Sequence, residues 1–334
     1  MKENDVILLA KEGVYKGKRL KGEIEETHIS WVVLCKRVVF KIKKPIKLPF
    51  LDFSTLPKRK EMCENELALN MRFTDIYESV VPIRAVKSKF ILGSGTGKIV
   101  DYAVQSRRLD TARRMDNVLK RNLLMPEDIL SLAKVVSMVH QHCPIVKTGF
   151  NLRQARKLFN DIGQVGPYIS KNLGSVYGSI IRKSIHWNNL FLKKHQRRFR
   201  ERIEHGLKRD GHGDLHCGNI FIYRKPVVFD CIEFNDSFRH IDILYEVAFL
   251  CMDLEVYRKS RLAKMFITEY NRMFKCISVP EDTRIFNYYK CLRANVRAKV
   301  HILGARQADT EDEQTEHMTE AKKYLLLMER YMRT

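Results

Sequence analysis

Residues 212–219 read His-Gly-Asp-Leu-His-Cys-Gly-Asn, and Asp230 follows the apolar run Val227-Val228-Phe229. An Asp with an Asn five positions later can place one carboxylate beside an attacking hydroxyl and one amide oxygen beside a divalent ion. Asp230 then stands where a second metal-binding carboxylate belongs. Phosphoryl transfer is mostly positioning and charge neutralisation, so it needs such a base and an oxygen pair for Mg²⁺. In this reading Asp214 takes the proton, with His212 two residues before it in the loop, and Asn219 and Asp230 hold the metal. The rival explanation is a Gly-rich turn whose polar side chains cap neighbouring strands. It suits a lone Asp-x-x-x-x-Asn, but not one preceded by His and followed by a strand-borne Asp.

These side chains need elements to hold them. Two short apolar runs, Ile220–Tyr223 and Val227–Phe229, predict a hairpin that brings Asn219 and Asp230 to one edge. Upstream, Ile29–Leu34 and Arg37–Lys43 predict a second hairpin. Lys58–Phe73 reads as a helix with Met62, Leu67, Leu69 and Phe73 as its apolar positions. Val80–Val86 and Ile99–Val104 flank a Gly-Ser-Gly-Thr-Gly turn at 93–97 and predict a third hairpin. Beyond Thr111 the period turns helical: a helix opened by Met125-Pro126-Glu127, a basic helical stretch over 158–207, then helices at 242–254, 259–274, 282–303 and 311–332.

Composition narrows the field without deciding it. The 334 residues are 45% hydrophobic and 30% charged, which excludes a largely disordered chain. No apolar run approaches the ~20 residues that cross a bilayer, and the N-terminus lacks a secretory core, so a cytoplasmic protein follows by default. The eight cysteines form no C-x-x-C pair, and those within apolar runs read as small core residues. A net charge of +22 favours anionic partners, among them nucleotides, phosphorylated metabolites and nucleic acid.

The segment from His212 to Ile220, followed by Val-Val-Phe-Asp, resembles the signature of the aminoglycoside phosphotransferase and choline-kinase-like superfamily. Residues 229–235 and 239–255 are more specific. They resemble an uncharacterised bacterial branch of that superfamily whose members are often fused to a P-loop ATPase domain. Thr27–Trp31, Lys43-Lys44-Pro45, Phe50–Leu56 and Arg293–Val300 are similar to that branch too, so the resemblance spans about residues 24–303. This chain departs from it in showing no second domain and no Gly-x-x-x-x-Gly-Lys-[Ser/Thr]; Gly93–Lys98 reads better as a turn.

The resemblance implies an α+β, bilobal protein-kinase-like fold. A nucleotide-binding lobe over 1–106 has a small antiparallel sheet and one helix, and a mainly helical lobe over 107–334 carries catalysis and the acceptor. It further implies ATP or GTP as donor, Mg²⁺, and Asp214 as the base. Such folds put a phosphate-gripping lysine on a strand and a glutamate on the next helix. Lys41 is the first choice, Lys43 the reserve on the same strand face, and Glu66 the partner ahead of Glu64. The turn Thr27–Ser30 stands in for a Gly-rich phosphate loop, and 102–106, around Val104, for the hinge that meets the base. Glu233 and Asn235, after the metal Asp, approach the acceptor, whereas Asp242 braces the catalytic loop. Arg293 and Arg297 share a helix face that binds an anionic acceptor if it lines the cleft and is merely solvated if it does not.

The leading expectation is an ATP-dependent phosphotransferase acting on a hydroxyl of a small metabolite, an anionic one if those arginines line the site. The alternatives are a nucleotide-binding regulatory module, or a nucleic-acid binder using the basic run Lys193–Arg202, and a kinase acting on protein or lipopolysaccharide.

Overall fold

The computed structural model describes residues 1–87 and 89–333 and divides the chain into two compact units. The first comprises Met1–Val118 with Gly218–Arg239, and the second Leu119–Cys217 with His240–Thr334. The α+β class read from the sequence is the one observed.

In chain order the first unit holds α1 (Glu3–Glu12), β1 (Val14–Tyr15), β2 (Lys18–Arg19), β3 (Glu23–Glu26), β4 (Ser30–Leu34), β5 (Val38–Lys43), β6 (Lys47–Leu48), β7 (Leu51–Asp52), α2 (Leu56–Asn70), β8 (Tyr77–Val86), β9 (Lys89–Leu92) and β10 (Lys98–Arg107). Eight of these strands form one sheet in the order β2-β1-β9-β8-β10-β5-β4-β3. The sheet is antiparallel except for the parallel pair β1–β9, so it is mixed rather than purely antiparallel.

Side chains alternate across a strand, and this sheet uses both faces. Phe40 and Ile42 of β5 and Ala103 of β10 join Val6, Leu9 and Ala10 of α1 in one core. The i, i+3, i+4 spacing of those α1 residues was legible in the sequence, yet the helix was not anticipated. The opposite face carries Val104, which packs with Cys63 of α2 and with Ile76 and Tyr77. Lys41 and Lys43 alternate with Phe40 and Ile42, so they belong to this α2 face.

Two sequence expectations need correction. The strands Val80–Val86 and Ile99–Val104 do pair, but β9 intervenes in the chain and lies on the far side of β8. The glycine turn at 93–97 therefore crosses from β9 to β10 rather than closing a hairpin. Gly97 has φ +105°, and a Cβ there would sit 2.5 Å from the carbonyl oxygen of Ala85. In α2 the expected apolar stripe is only half buried, apart from Phe73 just past its end. The fully buried stripe is Arg59, Cys63, Glu66 and Asn70.

The hairpin β12 (Ile220–Phe221) and β13 (Val227–Val228) forms as expected and completes the first unit. Helix α3 (Met115–Lys120) runs across the division between the units.

The second unit is helical: α4 (Pro126–His142), α5 (Leu152–Asn160), α6 (Gly166–Asn172), α7 (Ser175–Glu204), α8 (Ile243–Val256), α9 (Ser260–Met273), α10 (Pro280–Gln307) and α11 (Glu311–Met332). A short antiparallel pair, β11 (Lys208–Asp210) with β14 (His240–Asp242), leads into α8. Helix α8 is apolar on almost all sides and buried from Ile243 to Leu254 except Tyr245, which makes it the centre of this unit. The eight cysteines are buried and none is in a disulfide among the described residues. Among the described residues no helix is long and apolar enough to cross a membrane.

Candidate active site

In the first unit, the α2 face of β5 carries a buried group of charges. Lys41 Nζ donates to Asp230 Oδ1 at 2.6 Å and lies 3.0 Å from Glu66 Oε1. Lys43 Nζ donates to Glu66 Oε2 at 2.8 Å and forms a second ion pair with Glu233. Glu66 thus bridges both lysines, whereas Glu64 is exposed beside Lys60. Burial alone would raise the Glu66 carboxyl, but Lys41 and Lys43 hold it well below its ordinary range. Burial pushes Glu233 up, against the pull of Lys43 and reinforced by the neighbouring Glu66 carboxylate. Burial pulls Lys41 down, yet Asp230, Glu66 and Glu233 outweigh it and keep the ammonium charged.

The hairpin β12–β13 brings Asn219 and Asp230 to the same end, because Phe229 N–H donates to the Asn219 carbonyl at 3.1 Å just beyond the paired strands. Asp230 adopts φ +64°, a conformation that a non-glycine residue takes only where its surroundings enforce it. Its N–H donates to the Tyr77 hydroxyl at 3.2 Å, and the next N–H, of Cys231, donates to Asn70 Oδ1 at 2.9 Å. Side-chain oxygens from an amide and a carboxylate suit a hard cation such as Mg²⁺.

Other first-unit candidates have local duties. Thr27 Oγ1 accepts from Ser30 N–H at 2.9 Å and closes the β3–β4 turn. Ser30 Oγ is buried without a hydrogen-bond partner. Val104 lies inside β10 opposite Lys41 on one side and Val80 on the other, so residues 103–105 spend their backbone groups on two ladders. The hinge expected at 102–106 is therefore sheet, and the chain leaves the ladder only after Arg107. Asn235 Oδ1 accepts from Ser237 N–H at 3.0 Å and caps a short 3₁₀ turn, and Glu233 is consumed by Lys43.

In the second unit, Asp214 sits in the loop between β11 and Cys217. His216 Nε2 lies 3.3 Å from Asp214 Oδ2, and Asp214 N–H donates to His212 Nδ1 at 3.3 Å. Burial works against the Asp214 carboxylate, but His216, Arg293 and His212 hold its pKa well below the ordinary range. The His216 imidazole is shifted up in turn, its burial outweighed by Asp214 and Asp253.

The bracing role expected of Asp242 falls to Glu246. Its Oε1 accepts from His212 N–H at 2.8 Å, and a Cβ on Gly211 would lie 1.9 Å from its Oε2, so only glycine fits there. His140 Nε2 lies 3.5 Å from Glu246 Oε1. Asp242 instead caps α8 through Leu244 N–H and takes a bidentate bond from Arg202. Asp253 Oδ2 accepts from Cys217 N–H at 2.9 Å and pins the loop's far end.

The two arginines differ. Arg293 is buried between Tyr245 and Phe249, 3.8 and 4.5 Å from their ring centres, and Nη2 donates to the Gly213 carbonyl at 3.0 Å. Arg297 makes 3.4 Å contacts to the Tyr324 hydroxyl and His301 Nε2, with its guanidinium 5.7 Å from the Tyr324 ring centre. A cavity of about 280 Å³ lined by Trp187, Phe191, Lys194, Arg284 and Asn287 lies elsewhere in this unit and contains none of the residues predicted for phosphate transfer. The sequence reading missed His216, Glu246, His140 and Asp253. The second histidine of the 212–219 loop was in view; Glu246 and Asp253 reach the loop from α8, and His140 of α4 lies against Glu246.

No family model matches the chain. Uncharacterised proteins of Mycobacterium tuberculosis and Mycobacterium bovis are each 29% identical over 294 residues, covering 86% of this chain and 56% of theirs. The chain spans about half the length of the curated relatives it matches. Among solved structures, a choline/ethanolamine kinase family protein from Mesorhizobium loti superposes with a TM-score of 0.55 at 12% identity, covering 99% of this chain and 97% of that one. The GDP and kanamycin complex of APH(2")-IIia gives a TM-score of 0.54 at 11% identity over 98% and 99% of the two chains. The chain therefore has the α+β, protein-kinase-like fold of the aminoglycoside phosphotransferases and choline/ethanolamine kinases.

Proposed function

We propose that this chain is a phosphotransferase that moves the γ-phosphate of ATP or GTP onto a hydroxyl of a small molecule. The observation that carries the reading is Lys41, an ammonium set between the helix carboxylate Glu66 and Asp230. A structural ion pair has no need of a third partner on a strained backbone. A lysine that must pass from Asp230 to nucleotide phosphate does.

Asn219 and Asp230 are the oxygen donors for Mg²⁺, and the ion when bound supplies charge neutralisation at the phosphate oxygens. Lys41, steadied by Glu66, binds those oxygens. Asp214, kept ionised by His216 and Arg293, accepts the acceptor's hydroxyl proton as the C–O–P bond forms and the nucleoside diphosphate leaves. Arg293 and Glu246 hold the loop that presents Asp214. Arg297, in the electrostatic field of Asp214 and only loosely bonded, is the residue we assign to an anionic acceptor. A guanidinium there disfavours cationic acceptors such as aminoglycosides.

The nucleic-acid alternative loses support because Arg198 and Arg202 of the basic run point inward to Asp242 and Asp282. The test is a metabolite library with Mg·ATP or Mg·GTP, phosphate transfer being read by mass spectrometry. Turnover strongly reduced in Asp214→Ala, with nucleotide binding retained, is the expected result. Wild-type protein that binds neither nucleotide overturns the proposal. Thermal shifts with phosphorylated sugars against kanamycin decide the acceptor's charge, and a larger shift with kanamycin removes the anionic assignment.

A further inference from the structure

The strand β5 presents two lysines to the same face, two residues apart, and their surroundings differ. Lys41 is 20% exposed at its side chain, whereas Lys43 is 0% exposed. An ammonium has three donors. Lys43 spends them toward Glu66 Oε2, Glu233 Oε1 and the face of Phe53, whose ring centre is 5.0 Å away. No donor remains for a phosphate. Glu66 Oε1, by contrast, lies 3.0 Å from Lys41 Nζ yet has no hydrogen bond of proper geometry. One carboxylate therefore has a fixed oxygen toward Lys43 and a loosely held one toward Lys41.

We infer that Lys43 is a positioning residue for nucleotide binding: it clamps Glu66 Oε2 so that Oε1 faces Lys41, and it ties the segment after Asp230 to α2 through Glu233. The inference rests on the phosphotransfer reading above and adds a second lysine with a task opposite to the first. Asn70 supports the same seam, since its side-chain amide donates to the Glu66 carbonyl and its Oδ1 accepts from Cys231 N–H. Without Lys43, Glu66 and Glu233 would be two buried carboxylates drawing on Lys41, and Asp230 would share its counter-ion with both.

Two measurements test this. First, wild-type protein is treated with an acyl-phosphate derivative of ATP, in which a lysine amine attacks the acyl carbon, the nucleotide phosphate leaves and an amide forms with loss of a proton. Peptide mapping is expected to find the acyl group on Lys41 and none on Lys43, and acylated Lys43 overturns the inference. Second, N-methylanthraniloyl-ADP with Mg²⁺ is titrated into wild type, Lys43→Met, and Lys43→Met combined with Glu233→Gln. The single variant is expected to lose both thermal stability and affinity. The double variant is expected to regain stability, because one uncompensated carboxylate is gone, while binding the probe about tenfold more weakly than wild type. Wild-type affinity in the double variant reduces Lys43 to a structural ion pair. Failure of wild type to bind the probe or to be acylated at all strikes the nucleotide reading itself, and is distinguishable from either result.

Discussion

Two groups of buried charge, one in each unit, are built on different plans. In the second unit Arg202 is fully buried, forks onto Asp242 at 2.6 and 2.8 Å, and gives its remaining nitrogen to Asp282 and the Cys276 carbonyl. Arg198 adds a bidentate bond to Asp282, whose Oδ2 also accepts from Ser278 and Val279 N–H. In the first unit the lysine cluster is closed at one end, around Lys43, and open at the other. Asp230 is 43% exposed and held by a single lysine, and Glu66 Oε1 has an ion pair without a hydrogen bond. A saturated network locks a fold. A network left open on one side keeps partners it is able to exchange, as the proposed phosphate-binding role of Lys41 requires.

The largest effects should separate these plans. Asp282→Ala removes the carboxylate that buried Arg198 and Arg202 share, leaving Arg202 only Asp242 and Arg198 only Glu201, and should cost about 3–5 kcal/mol of unfolding free energy in urea melts. Asp230→Asn should cost less than about 1 kcal/mol by the same assay, since the Asp230 side chain is itself 43% exposed, yet should abolish metal-dependent turnover. Equal destabilisation by the two would erase the distinction. Asp214→Ala is expected to lower kcat about 10³-fold with nucleotide affinity unchanged, checked by single-turnover kinetics beside probe titration. Arg297→Met should raise KM for an anionic acceptor about tenfold at constant kcat.

The smallest expected effect is a pH dependence. The folded-state pKa of His216 is raised, so the stability it contributes is fully present below the unfolded value near ~6.5 and is lost as pH rises through the folded value. Wild type should therefore lose up to about 1 kcal/mol from pH 6 to pH 9 relative to His216→Gln, a figure kept small by the partial exposure of the pair. Parallel urea midpoints for the two proteins across that range would show that the Asp214–His216 contact contributes nothing. Glu66 has the opposite sign. Its pKa is depressed, so its contribution is present above about 4.3 and is lost as pH falls toward the folded value.

Much of the helical unit was legible because its helices bury apolar stripes; Glu311–Met332 was anticipated to the residue. Helix α2 was harder for a physical reason. Its buried stripe of Arg59, Cys63, Glu66 and Asn70 is polar, so a search for apolar periodicity selects the half-buried residues beside it. The segment 102–106, expected to be a hinge, lies within β10, which runs on to Arg107. A β-branched, apolar run looks the same in a central strand as at a sheet's exit, and only pairing on both sides of β10 decides.

What the sequence by itself determined is local. The loop 212–219 carries its carboxylate, histidines and amide at spacings no packing can alter, and the two-residue period of a strand puts Lys41 and Lys43 on one face before any tertiary contact forms. Tertiary structure decided depth and partnership: which lysine is sealed, that Glu66 rather than Glu64 meets them, and that Glu246 rather than Asp242 receives the loop. Periodicity is a property of the backbone, whereas burial depends on what long-range packing lays over it, and buried charge must find a partner wherever that packing leaves one.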